Sequence, residues 1–178
     1  DIPVNVSRNF KFLGAPIGNK TFCTDFFVEK RLKPVSKMIA ELPGLEDAQV
    51  GLKILGRCLG IGQFMYNLRT IRPDWLHDCL QGSDDLIKRG FEDLIGIGLS
   101  DQSWDQASLS LRKGGVGLRR CSKHAAAAYL SSRVSTSKLC GAIDLEFVWD
   151  ATDDSLEYAR GLFNDNVDEP DHLPPDYL

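Results

Sequence analysis

No stretch of this 178-residue chain approaches the roughly 20 consecutive apolar residues that a bilayer-spanning helix needs. Nor does the N-terminal DIPVNVSRNFKFLG carry a basic segment leading into a long apolar run, so neither a membrane span nor a secretory leader is indicated. CxxC is absent, and the five cysteines, Cys23, Cys58, Cys79, Cys121 and Cys140, are odd in number and scattered. That usage suits a reducing compartment, so the expected location is intracellular, in cytoplasm or nucleus. Disulfides are not needed for stability: a chain of this length buries about 70% of the surface its unfolded form exposes.

Other absences remove classes of chemistry. Cys121 with His124, and His77 with Cys79, are close in sequence, but a closed zinc site needs four ligands with paired short spacings, and neither CxxC nor HxxxH occurs. GAPIGNKT at 14–21 lacks GxxxxGK[ST] spacing, because Asn19 separates Gly18 from Lys20, and GGVG at 114–117 is not GxGxxG. No GxSxG elbow supports a serine hydrolase. The pairs Asp84–Asp85 and Asp153–Asp154 read as helix-start acids that complement the dipole. No catalytic residue, metal, cofactor or small-molecule ligand is therefore expected.

What is present is a composition of 43% hydrophobic and 26% charged residues, that of an ordinary globular domain. The formal net charge of -4 hides an asymmetry. Residues 1–140 hold 20 Lys or Arg against 14 Asp or Glu, whereas residues 141–178 hold 1 against 11. A basic body with an acidic end points to a polyanion-facing surface, with plain solubility charge as the alternative.

Three segments follow from the pattern: a β-hairpin within 1–20, a helical domain over 21–140, and an acidic, partly disordered segment over 141–178. Val4, Val6, Phe10 and Phe12 alternate with polar neighbours, and Gly14, Pro16 and Gly18 supply turns. From Phe22 to Leu42 apolar residues recur at three and four, with Pro34 predicting a kink or two shorter helices. A second helix is expected from Asp47 as N-cap through Leu68, its glycines close against a neighbour. Pro73 opens one or two more, ending at GIG 96–98. Residues 99–120 lack sustained period and read as an irregular connector, followed by a helix from Ser122 whose alanines allow close packing. A last helix is expected around 156–163. The fold class is mainly α: a helical bundle with a short N-terminal β-hairpin.

The segment LRKGGVGLRRCSKH, 111–124, is the most informative. Arg112, Lys113, Arg119, Arg120 and Lys123 surround Gly114, Gly115 and Gly117, so amides and cations can approach a phosphate chain without obstruction; a solvated turn is the alternative. Lys30, Arg31, Lys33 and Lys37 occupy the wet side of the first helix.

FKFLGAPIG, a basic helix, DAQVGLKILGRCLGIGQFMYNLRTIRP and then LSDQSWDQASLSLRKGGVGLRRCSKHAAAAYLSS, in that order over about 8–133, resemble the region just downstream of the catalytic palm in reverse transcriptases of non-LTR retrotransposons. Phe12, Leu13 and Gly14 match the strand that closes the primer-grip region. Leu109, Arg112, Gly114, Gly115, Val116, Gly117 and Leu118 match the segment that leads into an Ala-rich helix. The family's catalytic aspartate pair has no counterpart, Ser110 stands where a proline is usual, and the acidic end is unmatched. The resemblance implies a fragment or relic of an RNA-directed DNA polymerase: a thumb-like part, noncatalytic in isolation, holding an RNA–DNA hybrid or DNA duplex by its phosphates beside an upstream palm and fingers segment. The expected phosphate ligands are Lys11, Lys30, Arg31, Lys33, Lys37, Arg112, Lys113, Gly114, Gly115, Arg119, Arg120 and Lys123, converging on one concave face. The rival reading is a helical protein-interaction domain, a domesticated relic whose basic face is covered by the acidic tail or a partner.

Overall fold

A computed structural model describes residues 8–150 and 152–174; Val4 and Val6 of the expected hairpin lie outside them. Strands β1 (Phe10–Phe12) and β2 (Ala15–Ile17) pair antiparallel, with Phe10 opposite Ile17 and Phe12 opposite Ala15. The two-residue turn between them is unusual in its first position. Leu13 has φ +46° beside Gly14 at +89°, and a left-handed non-glycine residue costs roughly 1–2 kcal/mol. The Tyr66 hydroxyl donates to the Leu13 carbonyl at 2.7 Å, which holds that turn in place.

Helix α1 (Lys20–Phe27) is capped by Asn19, whose side chain accepts from the Phe22 amide. Of the kink and the two shorter helices that Pro34 allowed, the structure has two shorter helices: a π-helical stretch, Val28–Leu32, joins α1 to α2 (Lys33–Ala40). The Lys33 amide reaches the Val28 carbonyl, five residues back. Widening the turn there accommodates a proline at the start of α2, which has no N–H and whose ring would crowd the preceding carbonyls.

Asp47 caps α3 (Ala48–Ile54) through the Gln49 and Val50 amides. The single helix expected to run to Leu68 is broken. A π stretch, Leu55–Leu59, ends at Gly60 in extended conformation, and a short 3-10 turn precedes α4 (Met65–Thr70). Of the glycines read as close-packed, Gly51 is one: a Cβ there would stand 2.5 Å from Leu94 Cδ2, while Gly62 faces open space.

Helix α5 (Pro73–Ile95) is the axis of the molecule, starting on proline and ending at Gly96 with φ +69°. It packs against α1, α2, α3, α7 and α8. The segment read as an irregular connector contains a further helix, α6 (Asp101–Ser108), capped by Ser100. Only Trp104 and Ala107 of it are buried, one helical turn apart and too few to register as a period. Helix α7 (Cys121–Ile143) packs on α4 and α5 with Ala125, Ala126 and Ala128 buried, as the alanine run implies.

The core is built around Phe27, Leu55, Phe64, Leu68, Leu76 and Ile87; the Phe27 and Phe64 rings lie 5.6 Å apart. The acidic end is not uniformly frayed. The boundary expected at 140 falls inside α7, and α8 (Asp154–Asn164) docks on α7 and α5. Leu156 and Ala159 are fully buried there against Tyr129 and Leu130. Asp153 caps α8 as read from sequence; its hydrogen bonds from Ser155, with Arg133 and Arg72 nearby, hold its carboxyl below the usual range.

Candidate nucleic-acid interface

The glycine turn between α6 and α7 is a built object. After Ser108 the chain extends through Leu109, makes one 3-10 turn over Leu111–Lys113 and reverses at Gly114, φ +77°, and Gly117, φ +83°. Its amides point inward. Lys113 N and Gly115 N donate to the Ser110 carbonyl at 2.9 and 3.1 Å, Gly114 N to Leu111 at 3.1 Å, Val116 N to Ala107 and Gly117 N to Leu109, both at 2.9 Å. The Gln106 side chain donates to the Lys113 and Gly114 carbonyls at 3.3 and 3.0 Å. Gly115 is where backbones touch: a Cβ would fall 2.1 Å from the Leu109 carbonyl oxygen. Leu118 then enters the core beside Gly56.

This corrects the expected role of Gly114 and Gly115. Their amides are consumed by the turn itself, so the glycines shape the loop and the cationic side chains alone face outward. Arg112, Lys113, Arg119 and Lys123 are exposed and form no ion pair among the described residues. Arg120 is different. Its Nη2 pairs with Asp105 at 2.6 Å, its guanidinium sits 5.3 Å from the Trp104 ring centroid, and its side chain is 17% exposed. That arginine braces α6 against α7 and is not available to a phosphate.

On the first helix, Lys30 and Lys37 are exposed and without an ion pair among the described residues, while Lys33 pairs with Glu29 one turn back. Arg31 is half-buried, and its Nε donates to the buried Asn67 Oδ1 at 2.7 Å, which ties the π stretch to α4. Lys11 is exposed on β1 opposite Pro16.

The two cation groups stand on different elements around α5. Leu32 and Ile39 of the first helix lie against α5 at Gly82 and Gly90. Lys37 stands two residues before Ile39, about 160° round the helix, so the lysines look away from α5. The start of α7 is held by Asp84, two residues beyond Gly82 and about 200° round α5. The first helix and the start of α7 therefore meet α5 at different positions around its circumference.

Asp84 is the residue that sequence reasoning misplaced. It lies within α5 and caps a different helix: its carboxylate, 2% exposed, accepts from the Cys121 amide at 2.5 Å, the Ser122 amide at 3.3 Å and the Ser122 hydroxyl. Burial outweighs those donors and the nearby Arg120 and pushes its carboxyl above the usual range. A signal was present, since Asp84 stands four residues after Leu80 and three before Ile87, on the apolar stripe of its own helix. Burial likewise pushes the neighbouring Cys121 thiol up.

Between α5, α6 and the start of α7 runs a cleft of ≈330 Å³ lined by Asp84, Asp85, Lys88, Asp101, Asp105 and Arg120, among others. Four carboxylates against two paired cations repel phosphate, so a polyanion belongs on the turn's outer side. Among the described residues no cluster of three or more His, Cys, Asp or Glu is arranged to hold a metal, and no helix is long and apolar enough to cross a membrane. The tail's Asp153 faces Arg72 and Arg133, neither of them an expected phosphate ligand. The chain matches no family model, no curated protein and no solved structure.

Proposed function

We propose that the chain is a nucleic-acid-binding helical module, the thumb-like part of a retrotransposon reverse transcriptase, which holds a template–primer duplex by its phosphates and does no chemistry by itself. The observation that carries this reading is the braced turn at 109–118 with the start of α7 behind it, which together present Arg112, Lys113, Arg119 and Lys123 with no ion pair among the described residues. A backbone fixed by five internal amide bonds pre-organises its cations, so little ordering cost falls on binding. The sequence resemblance supplies the class of ligand.

The turn is the primary contact. The lysine ridge stands on a separate helix, so it serves a second stretch of nucleic acid or only solubility. Four phosphate contacts at about 0.9 per contact give a log affinity that falls by roughly 3.6 per log unit of salt on B-DNA. Arg112→Ala with Lys113→Ala removes about half of that slope and, since both side chains are exposed, leaves the melting temperature nearly unchanged. Fluorescence anisotropy with an RNA–DNA hybrid and a DNA duplex, titrated at two salt concentrations, measures it. Absence of binding at low salt, or binding indifferent to salt, overturns the reading.

A further inference from the structure

Two apolar surfaces of opposite charge are left uncovered. The hairpin register puts Phe10, Phe12 and Ile17 on one face of β1–β2, all exposed, Phe12 at 59%, with Leu13 at the tip 83% exposed. Arg8 and Lys20 flank the hairpin, while Lys11 lies on its other face opposite Pro16; none of the three forms an ion pair among the described residues. The second surface begins on the last turn of α7 and continues along the chain. Ile143, Leu145 and Val148 are 87%, 95% and 83% exposed, and Asp144, Glu146 and Asp150 alternate with them, again unpaired among the described residues.

An exposed patch of several large apolar side chains is a contact surface in search of its partner. Charge narrows the choice. Pairing the hairpin with a second hairpin stacks cations on cations, and pairing the 143–148 segment with its own copy stacks carboxylates; like charges across an interface cost several kcal/mol. Hairpin against segment brings apolar face to apolar face, with the flanking cations Arg8 and Lys20 on one side of the contact and acids on the other. Both surfaces are exposed in one molecule, so the contact is made between two.

We propose that the β-hairpin of one copy receives residues 143–148 of a second copy in a head-to-tail contact. The two surfaces differ, so the interface is heterologous: each bound molecule still offers one free hairpin and one free segment, and association continues beyond a dimer unless the rotation closes a ring. This contact does not use the turn at 109–118, the primary contact of the nucleic-acid reading, and of the expected phosphate ligands it involves only the hairpin that carries Lys11.

Sedimentation velocity of the full chain from about 10 µM to 1 mM, the range for a modest interface, tests the proposal through complementation. Phe10→Ser with Phe12→Ser blinds the hairpin, and Ile143→Ser with Leu145→Ser blinds the segment; all four side chains are exposed. Each double variant alone weakens association at least tenfold, and an equal mixture of the two forms a 1:1 heterodimer that grows no further. Asp144→Lys with Glu146→Lys provides a second route that leaves the apolar residues alone: it abolishes association, and Arg8→Glu with Lys20→Glu on the other molecule restores it. A chain monomeric at every concentration, a wild type that stops at a dimer unaffected by either blinded surface, or a mixture that fails to complement overturns the proposal.

Discussion

Gly115→Ala isolates the backbone contact on which the cationic turn depends. A Cβ built at Gly115 meets the Leu109 carbonyl oxygen at 2.1 Å, its carbon at 2.5 Å and the Gln106 carbonyl oxygen at 2.7 Å. Close C···O approaches in proteins run to about 3.3 Å, so one wall of the turn must retreat by roughly 1 Å. All three atoms are backbone and no rotamer change relieves them. The bonds that span this gap, Gly115 N to Ser110 O, Val116 N to Ala107 O and Gly117 N to Leu109 O, stretch or break together. At about 0.5–1.5 kcal/mol each, the loss is roughly 1.5–4.5 kcal/mol. For a domain of this size 1 kcal/mol moves the melting temperature by about 2–4 °C, so a fall of roughly 3–18 °C is expected by calorimetry. Gly62→Ala is the control, because nothing lies within 4 Å of its Cβ position, and its expected change is near zero or slightly upward. Equal melting temperatures for Gly115→Ala and Gly62→Ala refute the argument. Loss of hybrid binding in Gly115→Ala, measured well below its melting temperature, further links the turn's shape to the affinity of its cations.

Other expectations follow from buried positions. Gly90→Ala places a methyl 2.5 Å from Ile39 Cγ2 and 3.4 Å from Leu55 Cδ1, and overpacking of that kind costs about 1–3 kcal/mol in urea unfolding. Leu156→Ala empties a fully buried site between α8 and α7 and is expected to cost about 2–5 kcal/mol; if hydrogen exchange shows only α8 opening while the body is unaffected, the tail is a separate folding unit. Asp84 gives a dependence on pH. Its carboxyl is raised above the usual value of 3.8, so its favourable contribution is complete below the unfolded value and is lost as pH rises through the folded one. Asp84→Asn abolishes that titration, and thermal melts at steps upward from pH 3.8 should show the variant gaining on the wild type; a constant difference across that range contradicts the assignment.

The elements that local rules control were legible in the sequence, and those that depend on contacts made far along the chain were not. Asp47 and Asp153 each cap the helix they directly precede, and Pro73 and Gly96 bracket α5, because capping needs only the neighbouring amides. The hairpin and the mainly helical class likewise follow from period and turn residues. The break at Gly60, the short α6 with its two buried residues, and the docking of α8 escaped, since each is decided by what packs against it.

The candidate site divides the same way. Residue types alone determined that 111–124 is a glycine-bearing cationic segment and that the first helix carries lysines on its wet face. Tertiary structure decided that Arg120 is spent on Asp105 and Trp104, that Arg31 is tied to Asn67, and that the Gly114 and Gly115 amides close the turn. A sequence fixes which side chain follows which and so the local periods. Which cation meets an acid, and which face meets solvent, depends on how helices far apart in the chain are brought together; Asp84 holding Cys121 and Ser122 across 37 and 38 residues is the plainest instance.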